Sequence, residues 1–143
     1  YNRRGFLTLA DDAISLMENL NYHILFIDLD KMKQINDEYG HNMGDNALQE
    51  ASKILKSSFR EGDIISRYGG DEFIVFVSDV GNEVIDKIKG RIDRNIKLLN
   101  ESKKFRYTLA LTVGHSRYNL DKKESLKQVI ERADEDMYSK KNT

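Results

Sequence analysis

Ile64-Ile65-Ser66-Arg67-Tyr68, then Gly69-Gly70-Asp71-Glu72, then Phe73-Ile74-Val75-Phe76-Val77 is the stretch that decides the fold class. Two short runs rich in β-branched and aromatic residues flank a separator that opens with two glycines, which is the pattern of a β-hairpin. A hairpin forces antiparallel pairing. Upstream, Tyr22-His23-Ile24-Leu25-Phe26-Ile27 reads as a buried central strand ending at Asp28-Leu29-Asp30, and residues 107 to 114 predict another strand.

Helical periodicity fills the rest. Phe6, Leu9, Ala10, Ala13, Ile14, Met17 and Leu20 recur at three- and four-residue steps. A short helix is predicted over 31–39, stopping at Gly40, and a longer one over 43–59 with Ala47, Leu48, Ala51, Ile54 and Leu55 on one face. A third carries Val84, Ile88, Ile92, Ile96 and Leu99, although Gly90 within it costs about 1 kcal/mol relative to Ala. The last is predicted to start at Asp121, with Glu124 three residues on as an N-cap-plus-acid pair and Leu126, Val129, Ile130, Ala133 and Met137 inward. The order α-β-α-α-β-β-α-β-α predicts an α+β domain: a central, mostly antiparallel sheet flanked by helices.

Composition sets outer bounds. The 143 residues are 39% hydrophobic, enough for one domain with its own core. Lys and Arg number 23 against 24 Asp and Glu, so the net charge of −1 offers no basic field for a nucleic-acid polymer or an anionic membrane. Cysteine is absent, which excludes disulfides, thiolate metal sites and thiol nucleophiles. No apolar run reaches the roughly 18 residues of a membrane helix. The chain opens on Tyr1 without Met, so a single domain over 1–143, cut from a longer protein, is expected.

The placement of the acids is more informative than their number. Asp28 and Asp30 close the first strand, while Asp71 and Glu72 sit at the hairpin tip. With the hairpin beside that strand, these carboxylates converge, and a cluster of like charges calls for a cation. Oxygen donors without His or Cys favour Mg²⁺ or Mn²⁺ over zinc. Gly69 and Gly70 let backbone N–H groups approach a bulky anion, and Lys33, one turn into the next helix, can neutralise phosphate charge. Taken singly each is an ordinary turn or surface residue; together they point to a metal–triphosphate site.

Arg67-Tyr68-Gly69-Gly70-Asp71-Glu72-Phe73 resembles the signature of the GGDEF family, the bacterial diguanylate cyclases. Asp28 to Asp37, Gly40-His41 and Gly44-Asp45 resemble that family's second segment. Tyr1-Asn2-Arg3-Arg4 is similar to the end of its opening segment, and Arg132-Ala133-Asp134 with Tyr138 and Lys141 to its closing helix. Ala110 departs from the family's usual Thr. The resemblance implies a fold like the palm of nucleotidyl cyclases and polymerases, and condensation of two GTP into cyclic di-GMP with release of pyrophosphate. It implies metal binding by Asp28, the Leu29 carbonyl and Asp71. Asp71 would also activate the 3′-hydroxyl, Glu72 would support the cluster, and Lys33 would stabilise transition-state charge. Asn36 and Asp45, with His41 near them, would read guanine, whose edge offers acceptors to an amide and donors to a carboxylate. Gly69, Gly70 and Lys141 would meet the phosphates. Arg60-Glu61-Gly62-Asp63, with five residues between Asp63 and Gly69, resembles the family's product-inhibition site, with Arg60 and Asp63 binding cyclic di-GMP and Arg91 assisting.

The partners implied are GTP, cyclic di-GMP, a second copy of the domain in a transient homodimer, and an upstream sensor in a cytoplasmic chain whose parent can be membrane-tethered. The alternative is a weak or inactive module of the same family that acts as a receptor for GTP or cyclic di-GMP.

Overall fold

A computed structural model describes residues 1–142. They form two compact units. One comprises residues 1–28, 62–81 and 112–142, and the other residues 29–61 and 82–111.

The first unit is built on a four-stranded sheet in the order β2-β3-β1-β4, from β1 (Tyr22–Leu29), β2 (Ile64–Arg67), β3 (Glu72–Ser78) and β4 (Leu111–Arg117). β3 pairs antiparallel with both β2 and β1. The hairpin closes where the Tyr68 N–H donates to the Glu72 carbonyl at 2.8 Å. In the β1–β3 register, Ile24 lies opposite Phe76 and Phe26 opposite Ile74. Side chains two apart on a strand share a face, so these four form one apolar surface. Phe6 and Ala10 of α1 (Arg3–Ser15) and Val129, Ile130, Ala133 and Met137 of α5 (Leu126–Lys141) complete that core. The same two-residue step carries the face onward to Asp28, which sits opposite Glu72.

The second unit contains α2 (Met32–Tyr39), α3 (His41–Ser58) and α4 (Asn82–Ser102). Gly40, at φ 91°, separates α2 from α3 in a backbone conformation that favours glycine. α3 packs on α4, where the Asn95 amide donates to the Ser58 hydroxyl at 3.2 Å. The Asn100 side chain brackets Leu109, donating to its carbonyl and accepting its N–H, each at 2.9 Å.

The predicted elements form, with four differences. The first helix ends at Ser15, short of Met17 and Leu20, because Leu16 already closes it as the C-cap. The expected strand over 107–114 lies at Leu111–Arg117 instead, because Asn100 holds the backbone of Leu109 outside the ladder. The last helix does not begin at Asp121. A short 3-10 turn occupies Leu120–Lys122, and α5 starts after Ser125, whose hydroxyl accepts the Gln128 N–H while the Gln128 side chain accepts the Ser125 N–H. Glu124 is therefore no capping acid; it pairs with Arg132. α4 runs unbroken through Gly90 and buries Ile85, Ile88 and Ile92, while Val84, Ile96 and Leu99 are only partly covered.

Candidate functional site

Directly opposed residues of an antiparallel pair hold their Cβ atoms about 4.5–5.5 Å apart, and like charges there destabilise the sheet. Asp28 and Glu72 occupy such a position. The Glu72 carboxyl is pushed above the usual carboxylate range, chiefly by burial and then by the charges of Asp28, Asp134 and Asp71, with Lys141 pulling the other way. Asp71 thus acts on the pair from the hairpin tip, as its position in the sequence anticipates.

Asp134 was not anticipated. It reaches the acids from α5, seven residues before Lys141 on one stripe of the helix. Lys141 Nζ lies 2.9 Å from Asp28 Oδ2, so the ammonium expected at a phosphate balances a strand carboxylate here. Asp28 Oδ1 is buried with no hydrogen-bond donor on it.

The turn is held open by its own residues. The Arg67 guanidinium donates to the Gly70 carbonyl, its Nε at 3.0 Å, and so pins the tip. A Cβ on Gly69 would collide with Glu72 Oε1, so the absence of a side chain there makes room for the carboxylate. Gly70 has open space around it. A groove of ≈ 680 Å³ adjoins the acids, lined among others by Arg3, Tyr68, Gly69, Glu72, Lys127 and Asp134.

Among the described residues no group of three or more His, Asp or Glu side chains is placed to hold a metal ion. Mg²⁺ does not need such a group: it takes one or two carboxylates and fills its octahedron with water and phosphate oxygens. Two facing carboxylates with further acids around them, all oxygen donors, fit that cation.

The sign of the Glu72 shift gives a prediction. A raised folded pKa means that the folded protein binds this proton more tightly than the unfolded chain. Ionised Glu72 therefore lowers stability near neutral pH, and that penalty lifts as pH falls through its folded pKa. Glu72→Gln should raise the melting temperature at pH 7 by roughly 1–3 °C, and calorimetry below pH 4 should show the gain gone. An equal gain at both pH values contradicts this origin.

The second unit carries the other predicted residues. Lys33 and Asn36 are one turn apart on α2, and His41 and Asp45 are one turn apart on α3. Lys33, His41 and Asp45 are exposed, whereas Asn36 is half-buried. A Cβ on Gly44 would run into Asn36 Oδ1, so Gly44 makes room for the Asn36 amide over the first turn of α3. Leu29 is buried at the end of β1. Of the residues expected at the inhibition site, Arg60 and Arg91 are exposed in the second unit, and Asp63 is half-buried before β2 in the first.

Residues 1–143 match the family described as "Diguanylate cyclase, GGDEF domain". The chain is 40% identical over 121 residues to Diguanylate cyclase A of Treponema denticola, a match covering 82% of this chain and 32% of that protein. It is 31% identical over 145 residues to diguanylate cyclase DgcM of Escherichia coli, covering 99% and 34%. The chain thus spans about a third of the length of these relatives. The crystal structure of diguanylate cyclase SiaD from Pseudomonas aeruginosa, in complex with its activator SiaC, matches with a TM-score of 0.87 at 25% identity, covering 99% of this chain and 55% of that one. With the hairpin motif whole and the palm-like antiparallel sheet in place, the chain belongs to the GGDEF domain family of diguanylate cyclases.

Proposed function

We propose that this chain condenses two GTP molecules into cyclic di-GMP with release of pyrophosphate, in a reaction that depends on Mg²⁺ or Mn²⁺. The observation that carries the reading is the placement of Asp28 against Glu72 beside the Gly69-Gly70 turn. That pairing burdens the fold, and a cationic ligand relieves it.

Asp28, the Leu29 carbonyl and Asp71 would hold the metal, with Glu72 behind them. When bound, such a cation supplies a Lewis acid that neutralises charge on the triphosphate. The chain's own groups do the rest. Asp71 accepts the proton of the 3′-hydroxyl as that oxygen bonds to the α-phosphorus of the other GTP and the bond to pyrophosphate breaks. Lys33 offsets the charge developing on the phosphates, and the Gly69 and Gly70 N–H groups approach their oxygens. Asn36 and Asp45, with His41 beside them, select guanine, because adenine leaves the carboxylate facing no matching donors. Lys141, which balances Asp28 in the free protein, turns to a phosphate once nucleotide arrives.

Each GTP presents both a hydroxyl and an α-phosphorus, so two copies meet in a transient two-fold pair. An upstream regulatory domain would bring them together. Among the described residues no helix is long and apolar enough to cross a membrane, and the cytoplasm, where GTP is made, is the compartment we assign.

Incubating the purified chain with GTP and Mg²⁺ and separating the products chromatographically tests this. Two pyrophosphates per cyclic di-GMP are expected. Guanine nucleotide bound without pyrophosphate release overturns the reading in favour of a receptor module. In the same assay Arg60→Ala should raise the concentration of added cyclic di-GMP needed for half-inhibition by about tenfold, the loss of one charge-assisted contact. Unchanged sensitivity removes Arg60, and with it Asp63 and Arg91, from an inhibition site.

A further inference from the structure

Three of four consecutive residues of β4 are hydrogen-bonded to α5. The Val113 carbonyl accepts from Lys140 Nζ at 3.1 Å, and the His115 N–H donates to Asp136 Oδ2 at 2.8 Å. Ser116 Oγ donates to the Val129 carbonyl at 2.6 Å. Lys140 closes the set with an ion pair to Asp136 at 3.1 Å. Between these ties Gly114 is buried in direct contact with the helix. A Cβ there would strike the Ala133 carbonyl oxygen and the Met137 nitrogen, and would come within 2.6 Å of Met137 Cβ. The first two are backbone atoms, which cannot turn aside as a flexible side chain can. Any residue larger than glycine must therefore push α5 off the strand. The next contact along the helix is that of Lys141 with Asp28.

We propose that Gly114 is a positioning residue for the catalytic site: by letting the α5 backbone lie directly on β4, it sets the Lys141 ammonium on the Asp28 carboxylate. The inference rests on the reading of Asp28 and Lys141 as members of that site. Nothing in the hairpin motif assigns Gly114 such a role, since it lies on another strand. A small displacement suffices, because an ion-pair hydrogen bond of 2.9 Å is lost within about one ångström of shift.

The test uses the whole chain as wild type, Gly114→Ala, Lys141→Ala and the double variant. Without nucleotide, the ¹⁵N resonance of the Lys141 ammonium, assigned by its disappearance in Lys141→Ala, should shift or vanish in Gly114→Ala while the dispersed amide spectrum shows a folded protein. With GTP and Mg²⁺, Gly114→Ala should lower kcat by about tenfold. The double variant should be no slower than Lys141→Ala, because the two act through one contact. A Lys141 resonance unchanged in Gly114→Ala, or losses that multiply in the double variant, overturns the proposal. If Gly114→Ala does not fold, Lys140→Met loosens the same helix end and is read by the same resonance, an unchanged signal again counting against positioning. Absence of cyclic di-GMP from the wild type would sink the enzymatic reading alone, and the resonance would still decide the role of Gly114.

Discussion

Asp71→Asn should abolish synthesis of cyclic di-GMP while leaving the fold intact. The substitution keeps the size and one acceptor oxygen of the hairpin tip but removes both the charge and the basicity proposed to take the 3′-hydroxyl proton. Loss of a positioned general base costs on the order of 10²–10⁴-fold in rate, and loss of a metal-ligating charge adds to it, so turnover should fall about 10³-fold or more. Stability should hold or rise slightly, because Asp71 is one of the three charges that press on Glu72. Pyrophosphate release and thermal unfolding, measured on the same preparation, check both halves. Activity within a few-fold of wild type would remove Asp71 from the chemistry and leave the acid pair as a binding feature.

The second large effect is on stability and lies away from the acids. Arg132 Nε and Nη2 each donate to Glu124 at 2.6 Å, Nη2 also donates to the Arg117 carbonyl at 2.6 Å, and the Asn119 N–H donates to Glu124 Oε1 at 3.1 Å. The Glu124 side chain is only 8% exposed and that of Arg132 39% exposed. Arg132→Ala therefore strands a covered carboxylate, at a cost between that of an exposed pair and a buried one, about 2 kcal/mol, or roughly 6 °C in melting temperature.

The pH dependence follows from the same pair. Glu124 is held below the usual carboxylate range, chiefly by its Arg132 hydrogen bonds. Its contribution is thus present above the unfolded value of about 4.3 and is lost as pH falls through the lower folded value. Melting curves of wild type and Arg132→Ala should converge as pH falls below the usual carboxylate range. A gap that persists there would place the loss in packing of the Arg132 stem.

Much of the candidate site was legible because its proposed chemistry is carried by short contiguous runs. Gly69 to Glu72 spell a turn with acids, and the hairpin implied the antiparallel partner that brings Glu72 to Asp28. What escaped reading depends on partners distant in the chain. Glu124, three residues beyond Asp121, has the spacing of a capping acid, yet Ser125 caps α5 because its hydroxyl and Gln128 satisfy each other, freeing Glu124 to meet Arg132. The last strand was expected four residues too early, because its apolar pattern extends over Tyr107 and Leu109, whose burial owes nothing to the ladder.

By itself the sequence determined the kinds of element, their order and the family, since periodicity, turn glycines and motif residues are local properties of the chain. Only the tertiary structure decided that Asp134 joins the acids, that Lys141 rests on Asp28, and that Gly114 lets α5 come close enough for it. These are contacts between residues about twenty or more positions apart, set by register and by how closely a helix can approach a strand, and neither quantity is written in any one segment.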